Sequence, residues 1–536
     1  MNYSSQLQQT PFRNRTHAVW FRLCAVCLSM YTSYVIFLAH SRLFLGRMAT
    51  GMSLLAYASI CIGVYSLLEL GCRKLRFSAP RARQPQKHLD WRVFLLAFVI
   101  ALGIFGCTFA ACYPGGVNYD GSNQWRQALS GEYNNWHPLF HTLLIRLAMQ
   151  VHCSYPFVLL MQIVVFAACM AYLTAVVHKY GVHAWLAILV NTLVAASLPV
   201  RNTLMYLGKD SAMTIGVLLL SAQAVHILHT RGEWLKKPVH AVCMGAVLAY
   251  TTLLRVNALF FTVPFLLCVF FAFRPCRKQA LAGALVVILL IALVQGPVFG
   301  SLDVVYPSNT LEESIGLPMT ILCDIRKAEP QNLDKETRLF LNSLASSQTW
   351  QETYVMHNYN SIKFTFPREL IAEQSAMSIL KMAGRAAWND PRTAMKAFNG
   401  LTDVVWDVTG KSEGFQTVSN SGDLASLQYT SPKLNQLGAA LCRIWEAPLK
   451  WAPLRWLTEN IGVQLLLLLV VTLWALYRRG PDVLLMAVPT LLYDLGTMLL
   501  LASNDARFFQ FTMTIVLPMM LALIFLPRTK ENEAWN

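Results

Sequence analysis

The chain has 536 residues, 55% of them apolar and only 13% charged, with a formal net charge of +16. Soluble domains carry about 25% charged residues, so a string of ordinary soluble domains is excluded, and the apolar content excludes intrinsic disorder. A polytopic helical membrane protein remains. The basic excess then reads as topology and lipid-surface contact, and no nucleic-acid motif accompanies it.

A helix needs about 20 apolar residues to cross the hydrocarbon, because each backbone polar group must be satisfied within the segment. In chain order, such runs lie at about 18–40, 48–70, 93–113, 155–177, 183–200, 211–229, 239–254, 258–273, 279–299, 460–477, 482–501 and 510–527, which predicts about twelve transmembrane helices. The runs at 239–254 and 258–273 are short and share a thin connection. The first run is too long for a signal-peptide core and has no small-residue cleavage site after it.

Lys and Arg collect on alternate connections. One set holds Arg13, Arg15, Arg73, Lys74, Arg76, Arg81, Arg83, Lys87, Arg92, Lys179, Arg231, Lys236, Lys237, Arg274, Arg277, Lys278, Arg478, Arg479, Arg528 and Lys530. The other holds only Arg42, Arg47, Arg126, Arg146, Arg201, Lys209, Arg255 and Arg507 besides one long polar segment. The positive-inside rule then places both termini in the cytoplasm. The predicted organisation is an N-terminal helix pair with a basic cytoplasmic loop (1–92), a transmembrane core (93–299) with its first outer loop at 114–152, an extracytoplasmic domain (300–459), and C-terminal transmembrane helices with a short cytoplasmic tail (460–536). Near the end of that domain, Trp445, Trp451 and Trp456 stand beside basic residues, the composition of a headgroup-layer belt. Cys323 and Cys442 both fall in the domain, where they can pair. No internal repeat and no metal-ligand cysteine spacing is evident.

Ionisable groups at the end of a bundle mark function by default. The first outer connection reads "GGVNYDGSNQWRQALSGEYNNWHPLFHTLLIRL". Asp120 or Ser122 can cap a short helix ending at Gly131, with Asp120, Gln124 and Gln127 on one stripe and Arg126 nearby. His137-Pro138 opens a second helix, with Pro at its first position and an apolar face of Leu139, Leu143, Leu144 and Leu147. The second connection carries Lys209, a point charge suited to phosphate, and Asp210, a metal ligand or the partner of a cation. Arg255 and Asn257 interrupt an apolar stretch with almost no loop around them, which favours a buried anionic partner. Asp505 and Arg507 stand between the last two runs. Asp494 lies inside the eleventh run and is expected to face a cavity or a cation. Asp303, Glu312 and Glu313 open the long polar segment, and spacing does not decide whether they reach the same place.

The Asp120, Gly131 and "HPLFH" pattern resembles the first outer loop of the GT-C glycosyltransferases, integral membrane enzymes that use polyprenyl-phosphate-linked sugars. Many of these carry an Asp, a Gly about ten residues on, and then His-Pro-Pro-Leu; here Leu139 replaces the second Pro. The "YD…NQW…G…WHP" arrangement also resembles a bacterial polytopic family placed near that superfamily. Asp210 matches the position of a second acidic residue in the second outer loop. The resemblance implies a GT-C-like fold and transfer of a sugar to a cell-envelope acceptor. Asp120 would be the general base. Gln124, Arg126, His137, Lys209, Asp210, Arg255, Asn257, Asp505 and Arg507 would be substrate-binding candidates, and a divalent metal between Asp120 and Asp210 is a possible cofactor. A polysaccharide polymerase would use the same groups. A flippase or transporter would more often show paired halves, which are not found, and no Walker motif supports an ATP-driven pump.

Overall fold

The computed structural model describes residues 11–39, 50–75, 84–307, 311–409 and 431–527, with side chains starting at residue 18 and, in the first two segments, limited to 18–36 and 55–75. The side chains of Arg13, Arg15, Arg42, Arg47, Arg76, Arg81, Arg83, Arg528 and Lys530 lie outside that description.

Among the described residues the structure is helical, with isolated bridges in place of any sheet. Eight helices are long and apolar enough to cross a membrane: Ala18–Ile36, Leu55–Leu75, Trp91–Ala111, Tyr155–Lys179, Lys209–His229, Arg274–Val298, Ile461–Arg479 and Ala506–Ile524. The other four apolar runs differ from full spans. The run at 183–200 bends by 62° between Ala184–Ala196 and Leu198–Leu204. Pro199 sits in the first turn of the second piece, where its missing N–H leaves no bond unmade. Pro238–Leu254 and Leu259–Ala272 are shorter, separated at Arg255 by extended backbone. The run at 482–501 splits into a 3-10 turn, Pro481–Met486, and the short helix Val488–Met498.

Lys209–His229 is the centre of the bundle, packed against Tyr155–Lys179, Pro238–Leu254 and Ala506–Ile524. Its sides are apolar all round and 94% of its apolar window is buried, as expected of a helix with no solvent or lipid face. Asp494 lies fully buried beside it and accepts a hydrogen bond from the Thr512 hydroxyl at 2.9 Å. It faces neither a cavity nor, among the described residues, a cation, contrary to the expectation from its position. Thr512 supplies the polar partner that the sequence pattern had assigned to a charge.

The polar segment at 300–459 divides between two cores. Residues 315–394 build their own, around Met319, Leu322, Leu341, Trp350, Tyr359 and Ile379. From there the chain returns to the bundle: Leu401, Val404, Val405 and Leu449 belong to the bundle core. Helix Pro432–Glu446 lies along Trp91–Ala111 with Gly438 directly against the backbone of Ala110 and Ala111. This division separates Cys323 from Cys442. Both thiols are free and buried, the first in the insert core and the second 3.8 Å from the Thr108 hydroxyl of a bundle helix. The anticipated disulfide is therefore absent. Trp451 and Trp456 are exposed, while Trp445 packs onto the bundle.

Residues 501–507 are one seat of the insert core on the bundle. A Cβ on Gly316 would stand 2.2 Å from the Leu501 carbonyl, so only glycine permits the approach. Asn360 donates its backbone N–H to Ala502 (3.0 Å) and its amide to Ser503 (2.9 Å). Asn504 donates to the Gly400 carbonyl at 3.2 Å. Asp505 then caps the turn Ala506–Phe509, which leads into the last helix.

Candidate active site

The loop between the third and fourth apolar runs folds back on the bundle. Gly116 bridges to Tyr206, and Tyr155 donates its hydroxyl to the Gly116 carbonyl at 2.6 Å. Helix Tyr119–Ser130 follows. Its N-cap is Asn118, whose side chain accepts from Gly121, and it ends in the left-handed Gly131 (φ 77°). Capping thus falls to Asn118 and not to Asp120 or Ser122, which leaves the Asp120 carboxylate free to point elsewhere. The stripe with Gln124 and Gln127 separates by function. Gln124 is buried, its amide donating to Pro138 and Thr142 and its carbonyl 2.9 Å from His141 Nδ1. Gln127 holds Asn123 and the Asn134 backbone. Arg126 is exposed on the far side. Gln124 and Arg126 line no cavity, because the second half of this helix packs on Leu139–Met149 and only its first turn projects past it. In that second helix Pro138 is the N-cap, and Leu139, Thr142, Ile145 and Met149 form the buried face, one step round from the predicted leucines.

Asp120, His137, Lys209, Arg255, Asn257 and Arg507 line one cavity of about 1070 Å³. Lys209 Nζ stands 2.9 Å from Asp120 Oδ2 and 3.3 Å from His137 Nδ1. Arg507 reaches the same Asp120 oxygen at 3.4 Å, and His137 Nε2 lies 3.7 Å from the other. Arg255 and Arg507 lie against the Phe508 ring, at 4.4 and 5.0 Å from its centre. Asp210 and Asp505 do not line the cavity; they stand behind its cations. Asp210 pairs with Arg255, and Asp505 holds the Arg507 guanidinium at 2.8 Å. Asn257 accepts from Arg255 Nε at 3.2 Å and donates to Thr497 at 2.9 Å, which fixes the arginine's direction. Three cations face the cavity here, with one carboxylate among them.

Burial alone would raise the Asp120 pKa. Lys209, then Arg507 and His137, outweigh it and hold the carboxyl well below the usual range. His137 is pushed down to about 4, first by burial and then by Lys209. Its folded value lies below the ordinary 6.5, so the unfolded chain takes up this proton first as pH falls. Its contribution to stability is therefore complete above pH 6.5 and is lost between 6.5 and about 4. The melting temperature of the detergent-purified chain should fall over that window, and His137→Gln should flatten part of the fall. An identical pH profile in the variant would show that His137 is not buried neutral. Asp120 stays ionised in the folded chain throughout this range, and its protonation in the unfolded chain, around the ordinary 3.8, enters only at the bottom of the window.

The donor set is a poor fit for a divalent metal. Asp120 is already engaged by two cations and Asp210 by a third, and no group of three His, Cys, Asp or Glu side chains suited to a metal occurs among the described residues.

The opposite wall comes from residues that were not site candidates, although Trp136 falls in the "WHP" pattern. Asn134 and Trp136 arrive from the loop; Glu313, Asn360, Lys363, Phe364 and Arg368 arrive from the insert. Lys363 is buried and paired with Glu313 at 2.7 Å. Arg368 sits 5.3 Å from the centre of the Trp136 ring, with Glu312 3.7 Å behind it. Asp303 is exposed and lies off the cavity.

No family model and no curated protein matches the chain. Among solved structures the chain is similar to arabinosyltransferase EmbB from Mycobacterium smegmatis, with 14% identity and a TM-score of 0.32 over 81% of this chain and 45% of that one. It spans less than half of that protein's length.

Proposed function

We propose that this chain is a membrane glycosyltransferase of GT-C type, which moves a sugar from a polyprenyl-phosphate donor to an acceptor of the cell envelope. In this reading both termini are cytoplasmic and the cavity opens on the extracytoplasmic side. One observation carries it: Lys209, Arg255 and Arg507 converge on a cavity whose only carboxylate on that wall is Asp120. Cations gathered in a water-poor site stabilise a leaving phosphate. The same cavity has an apolar flank of Val256, Leu500, Leu501 and Phe508, and Val256 is 77% exposed on the side of the bundle. A polyprenyl tail would run out along this flank while its phosphate stayed with the cations.

The ion pairs suggest how base and donor are linked. Without donor, Asp120 serves as the counter-anion of Lys209 and Arg507 and is a weak base. An arriving phosphate competes for both cations and adds negative charge beside the carboxylate. Each effect raises the pKa of Asp120 toward the range of a working base. The acceptor hydroxyl then loses its proton to Asp120 as its oxygen bonds to the anomeric carbon. The bond from that carbon to the phosphate oxygen breaks, and the lipid phosphate leaves with its charge on the three cations. A single displacement of this kind inverts the anomeric centre.

Detergent-purified chain should bind decaprenyl phosphate at least about tenfold more tightly than decaprenol, and the difference should shrink with salt. From a panel of decaprenyl-phosphate sugars it should release decaprenyl phosphate from one. Equal binding of the alcohol and the phosphate would sink the reading.

A further inference from the structure

The cationic wall occupies one side of the cavity, yet the cavity is about as large as the upper limit for a single small ligand, roughly 1,000 Å³. The wall opposite is of different chemistry. Beside the charged Glu313, Lys363 and Arg368 it presents two aromatic rings, Trp136 and Phe364, and two amides, Asn134 and Asn360. Phe364 is 68% exposed, although Ile362, Lys363 and Phe366 around it are buried. The packing of this segment therefore holds the ring out into the cavity. Trp136 is kept in place by the Arg368 guanidinium, itself backed by Glu312.

Three buried polar atoms of cavity-lining residues lack a hydrogen-bond partner among the described residues: Arg507 Nε, which faces Asp505 as an ion pair, and on the other side Asn360 Oδ1 and His137 Nε2. Neither of the last two is loosely placed. Asn360 is held on its other side by Ser503 and through its backbone by Ala502. His137 is held through Nδ1 by Lys209. A buried polar atom left without a partner costs about 1–3 kcal/mol, and both residues line the cavity, so a ligand hydroxyl that draws either atom outward recovers part of that cost.

A pyranose or furanose ring has one face of C–H groups and an edge of hydroxyls. The faces suit aromatic rings, and the hydroxyls suit amides and a neutral imidazole. We propose that the wall of Asn134, Trp136, His137, Asn360 and Phe364 is an acceptor subsite, and that the acceptor bound there is a carbohydrate. This rests on the donor reading for the word acceptor, while the carbohydrate specificity stands on this wall alone. A lipid acceptor would need an apolar trough in place of the amides, and a peptide acceptor would leave the two aromatic faces without a flat partner.

The test uses the full chain in detergent on an array of immobilised hexose and pentose oligosaccharides, with decaprenyl phosphate binding measured in parallel. Wild type should bind one class of glycan on the array. Trp136→Ala and Phe364→Ala should each weaken that binding at least tenfold and leave decaprenyl phosphate binding within twofold. Lys209→Met, which also frees His137, should weaken decaprenyl phosphate binding more than glycan binding. Phe364 is already exposed, so its variant keeps the test valid if Trp136→Ala fails to fold. Absence of glycan binding by the wild type, or binding indifferent to Phe364→Ala, overturns the subsite. Glycan binding without decaprenyl phosphate binding would retain the subsite and overturn the donor reading.

Discussion

Asp120→Asn should bind decaprenyl phosphate more tightly than the wild type and yet transfer sugar about 10²–10⁴-fold more slowly. The two directions follow from one contact set. In the free protein Asp120 competes with the donor phosphate for Lys209 (2.9 Å) and Arg507 (3.4 Å). Removing its charge frees both cations and removes repulsion toward the phosphate. At these distances the affinity gain should reach about tenfold. The same substitution removes the only group on that wall able to take the acceptor proton. Folding is not the explanation for lost turnover, because the helix is capped by Asn118 and Asn keeps the size of Asp. A structural Asp120 would give near wild-type turnover. A variant that lost binding and turnover together would mean that the carboxylate organises the cations and does not compete with the donor.

Lys209→Met should weaken decaprenyl phosphate binding by about 2–5 kcal/mol, roughly 30- to 5,000-fold in Kd. The ammonium side chain is only 12% exposed, faces the cavity and touches both Asp120 and His137. Methionine keeps the length and apolar stem. Asp120 retains Arg507 as a partner, which limits damage to the fold. Arg126→Ala is the control: that arginine is exposed and off the cavity, and binding should not change. Equal losses from the two substitutions, in protein of equal melting temperature, would count against a local phosphate contact. The double variant with Asp120→Asn should lose less than the sum of the separate effects on stability, because the two groups are in direct contact and Asp120→Asn alone leaves the Lys209 ammonium without its carboxylate.

The charged half of this site was legible because ions beside apolar runs are conspicuous. Asp120, His137, Lys209, Arg255 and Arg507 interrupt stretches where a charge is costly without a partner. Their depth was not legible. Asp210 and Asp505 carry the same charge as Asp120 in similar settings, yet each stands behind an arginine, and that choice is made by packing between segments far apart in sequence. Gln124 was misread because helical periodicity gives a stripe but not what the stripe faces; here its second turn faces another helix. Phe364 gave no signal, since aromatic residues make up 11% of the chain and occur in most apolar runs, and Trp136, although part of the "WHP" pattern, gave no sign of which wall it would face. The bend at 183–200 did have a marker in Pro199, but uninterrupted apolar composition masked it.

The stretch from Leu501 to Arg507 touches both walls of the cavity within seven residues. At one end Ala502 and Ser503 hold Asn360 of the insert; at the other Asp505 aims Arg507 at Asp120. A ligand that pulls on Asn360 therefore pulls on the backbone that positions a phosphate-facing guanidinium. Any change in glycan affinity caused by lipid phosphate must be matched, factor for factor, by a change in lipid-phosphate affinity caused by glycan. Read in this way, the segment is a thermodynamic balance beam between two ligands, and its stiffness sets how strongly each senses the other.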